Sequence, residues 1–260
     1  MAGLLVGLVA GVLGGLVGVG GGVIVVPLMT DLLKFRQQEA HGTSLVTVVV
    51  TAAAGSFVYY FHGSVDIPAA AVLSGMALCT VRLGARYCCF LPELQLKRYF
   101  GLFLLFISLL LILKPFLPNA LAGSLPHWVK WVVLVLLGTL TGFISGMMGV
   151  GGGSFMVPMM VLFAGIAQHT AQGISLLAMI PASSLGAWTF WKLGNIRTRL
   201  LPGLLVGVLA GVSVGGSVAH LIPERELGLL YSALLVYTAS RYLQAKSQTA
   251  PVCTPEDGQI

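Results

Sequence analysis

Charge is the scarcest property of this chain. Only 8% of its 260 residues are charged, whereas 57% are hydrophobic and the mean hydropathy is +0.96. A soluble domain of this length carries about three times as much charge on its surface. The apolar runs repeatedly exceed the roughly 18 residues that mark a membrane-spanning helix. The sequence therefore predicts an all-α integral membrane protein.

Motifs for metal binding, catalysis and targeting are missing as well. The four cysteines, Cys79, Cys88, Cys89 and Cys253, lack metal-site spacing, and we expect reduced thiols. Since there is no HExxH motif and no buried aspartate pair, we expect neither an enzyme nor a cofactor nor a bound metal. The net charge of +6 lies in short loops beside apolar segments, so no nucleic-acid partner is expected. Met1 runs directly into apolar sequence without the basic region of a signal peptide, which predicts a retained first segment.

Carboxylates within the apolar segments are lacking too. Asp31, Glu39, Asp66, Glu93 and Glu224 all fall at predicted helix ends or in loops. A buried Asp or Glu is the usual proton relay of a membrane transporter, and none is available here. Coupling through a histidine, through the substrate, or no ion coupling at all are the alternatives.

An internal repeat is what the chain does have. GVLGGLVGVGGGVIVVPLM at 11–29 returns as GFISGMMGVGGGSFMVPMM at 142–160, an offset of 131 residues. The register persists, because LPE at 91–93 matches IPE at 222–224. Internal duplication is typical of transporter folds. We predict repeat 1 at 1–114, a linker at 115–130, repeat 2 at 131–245 and a polar tail at 246–260.

Loop charges indicate how the two repeats are oriented. If each predicted segment crossed the membrane once, the 14 Lys and Arg residues would split 7 to 7 between the two sides. If 3–33 and 134–164 are instead hairpins that enter and leave on one side, 11 of the 14 share a side, as the positive-inside rule expects of the cytoplasm. A continuous helix over 3–33 would also measure about 46 Å, well beyond the hydrocarbon core of roughly 30 Å.

We therefore predict inverted repeats with both termini cytoplasmic. Each repeat consists of a broken or re-entrant glycine-rich hairpin and three transmembrane helices. In repeat 1 the helices lie at about 41–61, 66–90 and 98–114, and in repeat 2 at about 170–191, 200–221 and 226–244.

Three consecutive glycines interrupt each hairpin. They are Gly20, Gly21 and Gly22, and Gly151, Gly152 and Gly153. Non-helical backbone at membrane depth leaves polar groups that protein or a water-filled cavity must satisfy, so the breaks predict a cavity. Helices restarting at Val23 and Ser154 would present free N–H groups and the positive end of the helix dipole, which suits an anion.

Two other patterns have a structural explanation. The glycines at Gly7, Gly11, Gly15 and Gly18 predict close helix packing. The aromatic clusters at 57–61 and 188–191 predict a belt at the membrane interface, and stacking of Tyr60 or Trp191 on a substrate is the alternative.

Small polar residues begin the second element of each repeat, in AHGTSL at 40–45 and AQGISL at 171–176. The hydroxyl groups there are candidates to donate to an oxyanion or, alternatively, to bond only their own backbone. His41 and Gln172 occupy equivalent positions and are candidate ligand contacts. The candidate substrate-binding set is Gly20, Gly21, Gly22, His41, Thr43, Ser44, Gly151, Gly152, Gly153, Ser154, Gln172 and Ser175.

The sequences GVGGGVIVVPLM, AHGTSL, HGSVD, LGAR and LPELQLKRYFG, with the matching second half, resemble the TauE/SafE family of sulfite exporter-like permeases over 3–245. The resemblance implies a bacterial inner-membrane transporter, often an exporter, of a small sulfur-containing anion such as sulfite, thiosulfate or an organosulfonate. Its expected partners are that anion and the lipid bilayer, and the oligomeric state is open. His41 departs from the small residues usual at its position, which suggests an altered substrate or pH response. A passive anion channel and a permease for a non-sulfur anion are the alternatives.

Overall fold

The structure, a computed structural model, describes residues 2–31, 35, 37–87, 98, 101–102, 105–106, 108–109, 112, 127–148, 151–192, 194 and 196–244. These residues form helices and turns, without strands. The helices are α1 (Ala2–Val17), α2 (Gly22–Asp31), α3 (Gln37–Phe61), α4 (Ile67–Tyr87), α5 (His127–Met148), α6 (Gly153–Phe163), α7 (Gln168–Lys192), α8 (Leu201–Ala219) and α9 (Glu224–Gln244). The predicted polar tail at 246–260 and Cys88, Cys89 and Cys253 lie outside the described residues, whereas Cys79 is a free thiol.

Four of the described helices are long and apolar enough to cross a membrane. These spans are Glu39–Phe61, Trp128–Gly146, Gln168–Lys192 and Leu201–Ala219. Their outer faces carry exposed apolar side chains such as Leu136 and Val214, a surface that suits lipid rather than water. The chain is thus an all-helical membrane protein. The apolar part of α4, Ile67–Leu83, is shorter, so three crossing helices per repeat stays a prediction.

The starts of α5, α2 and α6 differ from the expected positions. α5 begins at His127, inside the predicted linker 115–130. Its first turn contains Trp128, whose indole is exposed, and Lys130. Both side chain types favour the membrane interface, so the helix continues to that depth. α2 and α6 begin at Gly22 and Gly153, one residue before the predicted restarts.

Helices from the two halves pack in matched pairs, α1 along α8 and α5 along α4. A Cβ on Gly11 of α1 would lie only 2.5 Å from the carbonyl oxygen of Val208, and a Cβ on Gly142 of α5 would lie even closer to the carbonyl oxygen of Ala77. These two contacts are related by the 131-residue offset. Glycine is needed at both because the backbones approach closely.

The predicted glycine ladder is confirmed for part of its length. Gly7, Gly11 and Gly15 all face α8, where their Cβ atoms would meet backbone. Gly18 does not belong to the ladder, because the helix has ended and the residue has a φ of 72°. A Cβ on it would lie 2.6 Å from Cβ of Gln172 in α7.

Helix directions follow from which residues meet. Gly3 lies beside Leu200 and Gly15 beside Val212, so α1 and α8 run parallel. By contrast, α3 and α7 run antiparallel. Gly55, late in α3, lies against Leu176, early in α7. The equivalent pair, Gly186 and Leu45, shows the same crossing.

Each glycine break turns the chain back along the preceding helix. A Cβ on Gly21 would lie 2.9 Å from the carbonyl oxygen of Ala10, two turns before the end of α1. A Cβ on Gly152 would lie 2.6 Å from Cγ2 of Thr141 in α5. Ala10 and Thr141 are equivalent positions, so the described glycines of the two breaks approach the preceding helix at corresponding places.

Candidate substrate site at the glycine breaks

The corresponding glycines that the structure describes in the two breaks have similar left-handed φ angles. In the first break, residues 18–21, φ is 72° at Gly18, 75° at Gly20 and 72° at Gly21. In the second, φ is 86° at Gly151 and 78° at Gly152. This left-handed region costs an ordinary L-residue about 1–2 kcal/mol, which explains the glycine runs.

A helix begins directly after each break. The Gly21 carbonyl accepts hydrogen bonds from the amides of Ile24 and Val25, both at 3.0 Å. The Gly152 carbonyl accepts two equivalent bonds from Phe155 and Met156 at 3.1 Å. Gly152 caps α6 without any side-chain hydrogen bond. The first N–H groups of α6 therefore face the break with the positive end of the helix dipole and no side-chain cap.

The two breaks meet each other at the centre of the helical bundle. A Cβ on Gly20 would lie 3.0 Å from Cε of Met179 and 3.1 Å from Cγ1 of Val48. A Cβ on Gly151 would lie 2.8 Å from that same Val48 methyl group. Val48 and Met179 are equivalent positions of α3 and α7 and are almost fully buried. The predicted glycines are thus brought together, and two apolar side chains close the space between them.

The polar side chains buried in the described residues carry no formal charge. Besides the phenols of Tyr59 and Tyr231, they are the hydroxyls and amides of Thr43, Ser44, Thr47, Thr51, Ser56, Ser108, Thr141, Ser145, Ser154, Gln168, Gln172, Ser175, Ser183, Ser232 and Thr238. No group of His, Cys, Asp and Glu among those residues has metal-binding geometry. An anion bound there would be held by dipoles and hydroxyl groups alone.

Two of the predicted hydroxyl groups hold the breaks in place. Ser44 donates to the Gly22 carbonyl at 3.4 Å, and Ser175 donates to the Gly18 carbonyl of the other half at 3.1 Å. The single proton of each hydroxyl is committed to the protein backbone in this conformation. Both residues therefore lie at the breaks and support the backbone there, and their role as donors to a substrate stays a prediction.

Gln172 is also fully buried beside the first break. Its Nε2 donates to the carbonyl of Leu16 at 3.4 Å, and its Oε1 lies 2.9 Å from the hydroxyl of Tyr59. The Tyr59 hydroxyl also lies 3.1 Å from the Gly15 carbonyl. At the second break the hydroxyl of Tyr231 donates to the Gly153 carbonyl at 3.1 Å. Amide and phenol groups thus satisfy carbonyls around both breaks.

Thr43 lies apart from the breaks. Its Oγ1 accepts from the backbone amide of Arg197 at 3.1 Å, in the turn that follows α7. The guanidinium of Arg197 pairs with Glu39 at 2.8 Å in the first turn of α3. His41 is partly buried near that same end of α3. Successive helical residues point about 100° apart, so Ser44 reaches the break whereas Thr43 faces the loop.

Sequence reasoning missed two buried residues, Tyr59 and Ser183. Tyr59 belongs to the aromatic cluster 57–61, whose members Phe57, Tyr60 and Phe61 are more than half exposed, but its own ring is fully buried. Ser183 is also fully buried, next to Gly151. The 131-residue offset could have indicated Ser183, because it aligns this serine with an alanine, Ala52, and so shows a hydroxyl group in one half only.

Three histidines lie close together at one end of the bundle. His62 and His220 directly follow α3 and α8, and His169 lies in the first turn of α7. The rings of His62 and His220 stack with their centroids 4.0 Å apart, and His169 lies 5.3 Å from His220. A carbonyl only accepts, so Nδ1 of His62 donates to Val58 at 2.8 Å and Nδ1 of His220 donates to Gly216 at 2.9 Å. We call these three residues the histidine stack.

A lateral groove of about 760 Å³ lies elsewhere, between Val236 of α9 and the described residues Leu102, Leu105, Phe106, Ser108, Leu109 and Ile112. Leucine side chains and Phe106 line it. Its hydroxyl group, on Ser108, already donates to the carbonyl of Ser232 at 3.0 Å. Such a surface suits lipid chains better than a small anion.

Broken helices that meet inside a duplicated bundle of membrane helices are typical of membrane transporters. A sequence model of the family described as sulfite exporter TauE/SafE matches residues 3–242. The chain therefore belongs to the TauE/SafE family of membrane transporters, which confirms the resemblance.

Relatives agree with this assignment. The probable membrane transporter protein YunE of Bacillus subtilis is 27% identical over 225 residues, which cover 77% of this chain and 82% of that protein. A probable membrane transporter protein of Haemophilus influenzae is 28% identical over 268 residues, covering 98% of this chain and 91% of its own. No solved structure matches the chain significantly.

Proposed function

We propose that this protein transports a small sulfur-containing oxyanion, such as sulfite, thiosulfate or an organosulfonate, across the bacterial inner membrane, in the direction of export. The observation that carries the proposal is the meeting of two glycine breaks at the centre of the bundle, with the uncapped start of α6 at one of them. Convergent amides and hydroxyl groups bind an oxyanion without requiring a buried lysine or arginine.

We further propose that the two halves form an inverted repeat with both termini cytoplasmic. Equivalent helices of an inverted repeat run in opposite directions, and the antiparallel crossing of α3 and α7 supports this. The chain reversals at the breaks support it as well, because a hairpin before α3 and another before α7 reproduce the 11 to 3 distribution of Lys and Arg.

Transport by alternating access follows from this arrangement. Val48 and Met179 close the space between the breaks, as expected of a carrier between its open states rather than of a continuous pore. Rocking of one half against the other would separate these side chains first towards one side of the membrane and then towards the other.

Ligand-dependent stability and flux test the proposal together. The purified protein is melted with sulfite, thiosulfate, taurine, sulfoacetate, sulfate or chloride at fixed pH and ionic strength, and the best ligand is then followed in proteoliposomes. We expect one sulfur oxyanion to raise the melting temperature selectively, by the mass action of a ligand that binds only the folded state. Its flux should saturate and run uphill when coupled to a gradient. A flat thermal response with no flux would refute the proposed substrate class, and flux that never saturates would indicate a channel.

A further inference from the structure

Ser183 of α7 is a buried hydroxyl that the fold does not use. Its side chain is fully buried, and its Oγ has no hydrogen-bond partner among the described residues. Hydroxyl groups in helices commonly donate to the carbonyl four residues earlier, and the next residue, Ser184, does so to Ile180 at 2.7 Å. Leaving a buried hydroxyl unpaired destabilises a protein, so its retention needs a reason.

The hydroxyl of Ser183 lies at the second glycine break. A Cβ on Gly151 would lie 3.5 Å from its Oγ, and Gly151 directly precedes Gly152, the N-cap residue of α6, where no side chain caps the helix. α6 has 11 residues, enough for its dipole to act at this end. A hydroxyl proton without a partner and helix amides without a side-chain cap thus lie around the same glycine.

Among the described residues, the first break offers no equivalent unpaired hydroxyl group. The position that corresponds to Ser183 is Ala52, which is also fully buried. The nearby hydroxyl of Thr51 lies 3.7 Å from a Cβ placed on Gly21, but it donates to the carbonyl of Thr47 at 2.7 Å. Among the described residues around the two breaks, an unpaired hydroxyl group therefore lies at the second break and not at the first.

We propose that Ser183 is a substrate-contacting residue, and that its hydroxyl and the first amides of α6 bind an oxygen atom of the transported oxyanion. This inference rests on the proposed function and places the main anion contact at the second break. Val48 and Met179 both lie against Gly151 and must move aside, and the flexible thioether chain of Met179 permits its movement at low cost.

The test compares Ser183→Ala with Ser184→Ala in the full-length purified protein. Ser184 is exposed and bonded to its own helix, so it is the matched control. The affinity for the anion that stabilises the wild type is taken from melting temperatures across a titration. We expect the dissociation constant to rise at least tenfold in Ser183→Ala and to stay unchanged in Ser184→Ala, because a hydrogen bond to a charged ligand is lost only in the first.

The melting temperature without ligand separates a substrate contact from a structural role. Ser183→Ala removes an unsatisfied polar group, so its ligand-free melting temperature should equal or exceed that of the wild type. A fall in that temperature, or an unchanged dissociation constant, would overturn the inference. If Ser183→Ala does not fold, Ser183→Cys provides the same test with a weaker donor of similar size.

The outcomes separate this inference from the function on which it rests. If the wild type neither binds nor transports any of the anions, the proposed function fails, and the role of Ser183 fails with it. If the wild type binds and transports a sulfur oxyanion while Ser183→Ala does so equally well, only the assignment of Ser183 fails.

Discussion

At the scale of single residues, the glycine breaks combine two requirements that can be separated by mutation. Gly20 needs a left-handed backbone and also lies against Val48 and Met179, whereas Gly63 has a similar φ of 68° with open space around it. We expect Gly63→Ala to cost about 1–2 kcal/mol of stability from backbone strain and to leave transport intact. Gly20→Ala should add crowding at the centre and lower flux more than tenfold.

Flux in proteoliposomes and the melting temperature of both variants check this prediction. The comparison is informative because the backbone strain is nearly the same in the two proteins. Equal flux in Gly20→Ala and Gly63→Ala would mean that the centre of the first break takes no part in transport.

The residues at the breaks also show where sequence reasoning stops. The glycine runs predicted the chain breaks, because few other residues adopt the required backbone conformation. The partners of Ser175 and Tyr59 could not be predicted in this way. Ser175 bonds Gly18 from 157 positions away, and Tyr59 faces inward from a cluster of lipid-facing aromatic residues. Both contacts depend on the rotation of one helix against another, which an apolar sequence without strong periodicity leaves undetermined.

At the scale of elements, the histidine stack joins the ends of three helices. His220 follows the last residue of α8 and is faced by His62 after α3, by His169 in the first turn of α7 and by the phenol of Tyr59 at 4.6 Å. Burial lowers the pKa of His220 below its ordinary value, and repulsion from His62 and His169 lowers it further, while the hydrogen bond to Gly216 opposes this. The stack is therefore most stable when His220 is neutral.

The sign of the resulting pH dependence follows from proton binding. The pKa of His220 is lower in the folded than in the unfolded protein, so the unfolded chain binds more protons between the two values. The contribution of His220 to the free energy of unfolding is therefore fully present above the histidine pKa of the unfolded chain, about 6.5, and is lost as the pH falls below that pKa. We expect the melting temperature to fall as the pH is lowered through and below about 6.5, and His220→Gln to flatten that dependence.

Melting curves across this pH range test the stack, and His41→Gln provides the control. It places at position 41 the glutamine that the second repeat already carries at Gln172, and His41 lies outside the stack. If His41→Gln flattens the profile and His220→Gln does not, the pH dependence belongs to the start of α3 instead.

At the scale of the whole molecule, the offset of 131 residues relates helix contacts as well as sequence. The offset relates the packing of α1 against α8 to the packing of α5 against α4. The crossing of α3 and α7 corresponds to itself, because α3 and α7 are equivalent helices. Contacts that map onto one another in this way are expected of two halves related by a two-fold axis. The antiparallel crossing of α3 and α7 is what a two-fold axis within the plane of the membrane would produce, and it supports the proposed inverted repeat.

The sidedness of two equivalent turns tests this arrangement directly. Gly63 and Gly194 are related by the offset, both are exposed, and a Cβ at either position would meet nothing within 4 Å. Each is replaced by cysteine in a protein whose four native cysteines are changed to serine, and intact cells are treated with a thiol reagent that does not cross the membrane. An inverted repeat places the two turns on opposite sides, so we expect Gly63→Cys to react from outside and Gly194→Cys only after permeabilisation. Since the two glycines have nearly the same φ, 68° and 69°, the substitutions perturb the fold equally. Reaction of both cysteines from the same side would show that the repeats are parallel, and the alternating-access proposal would lose its symmetry.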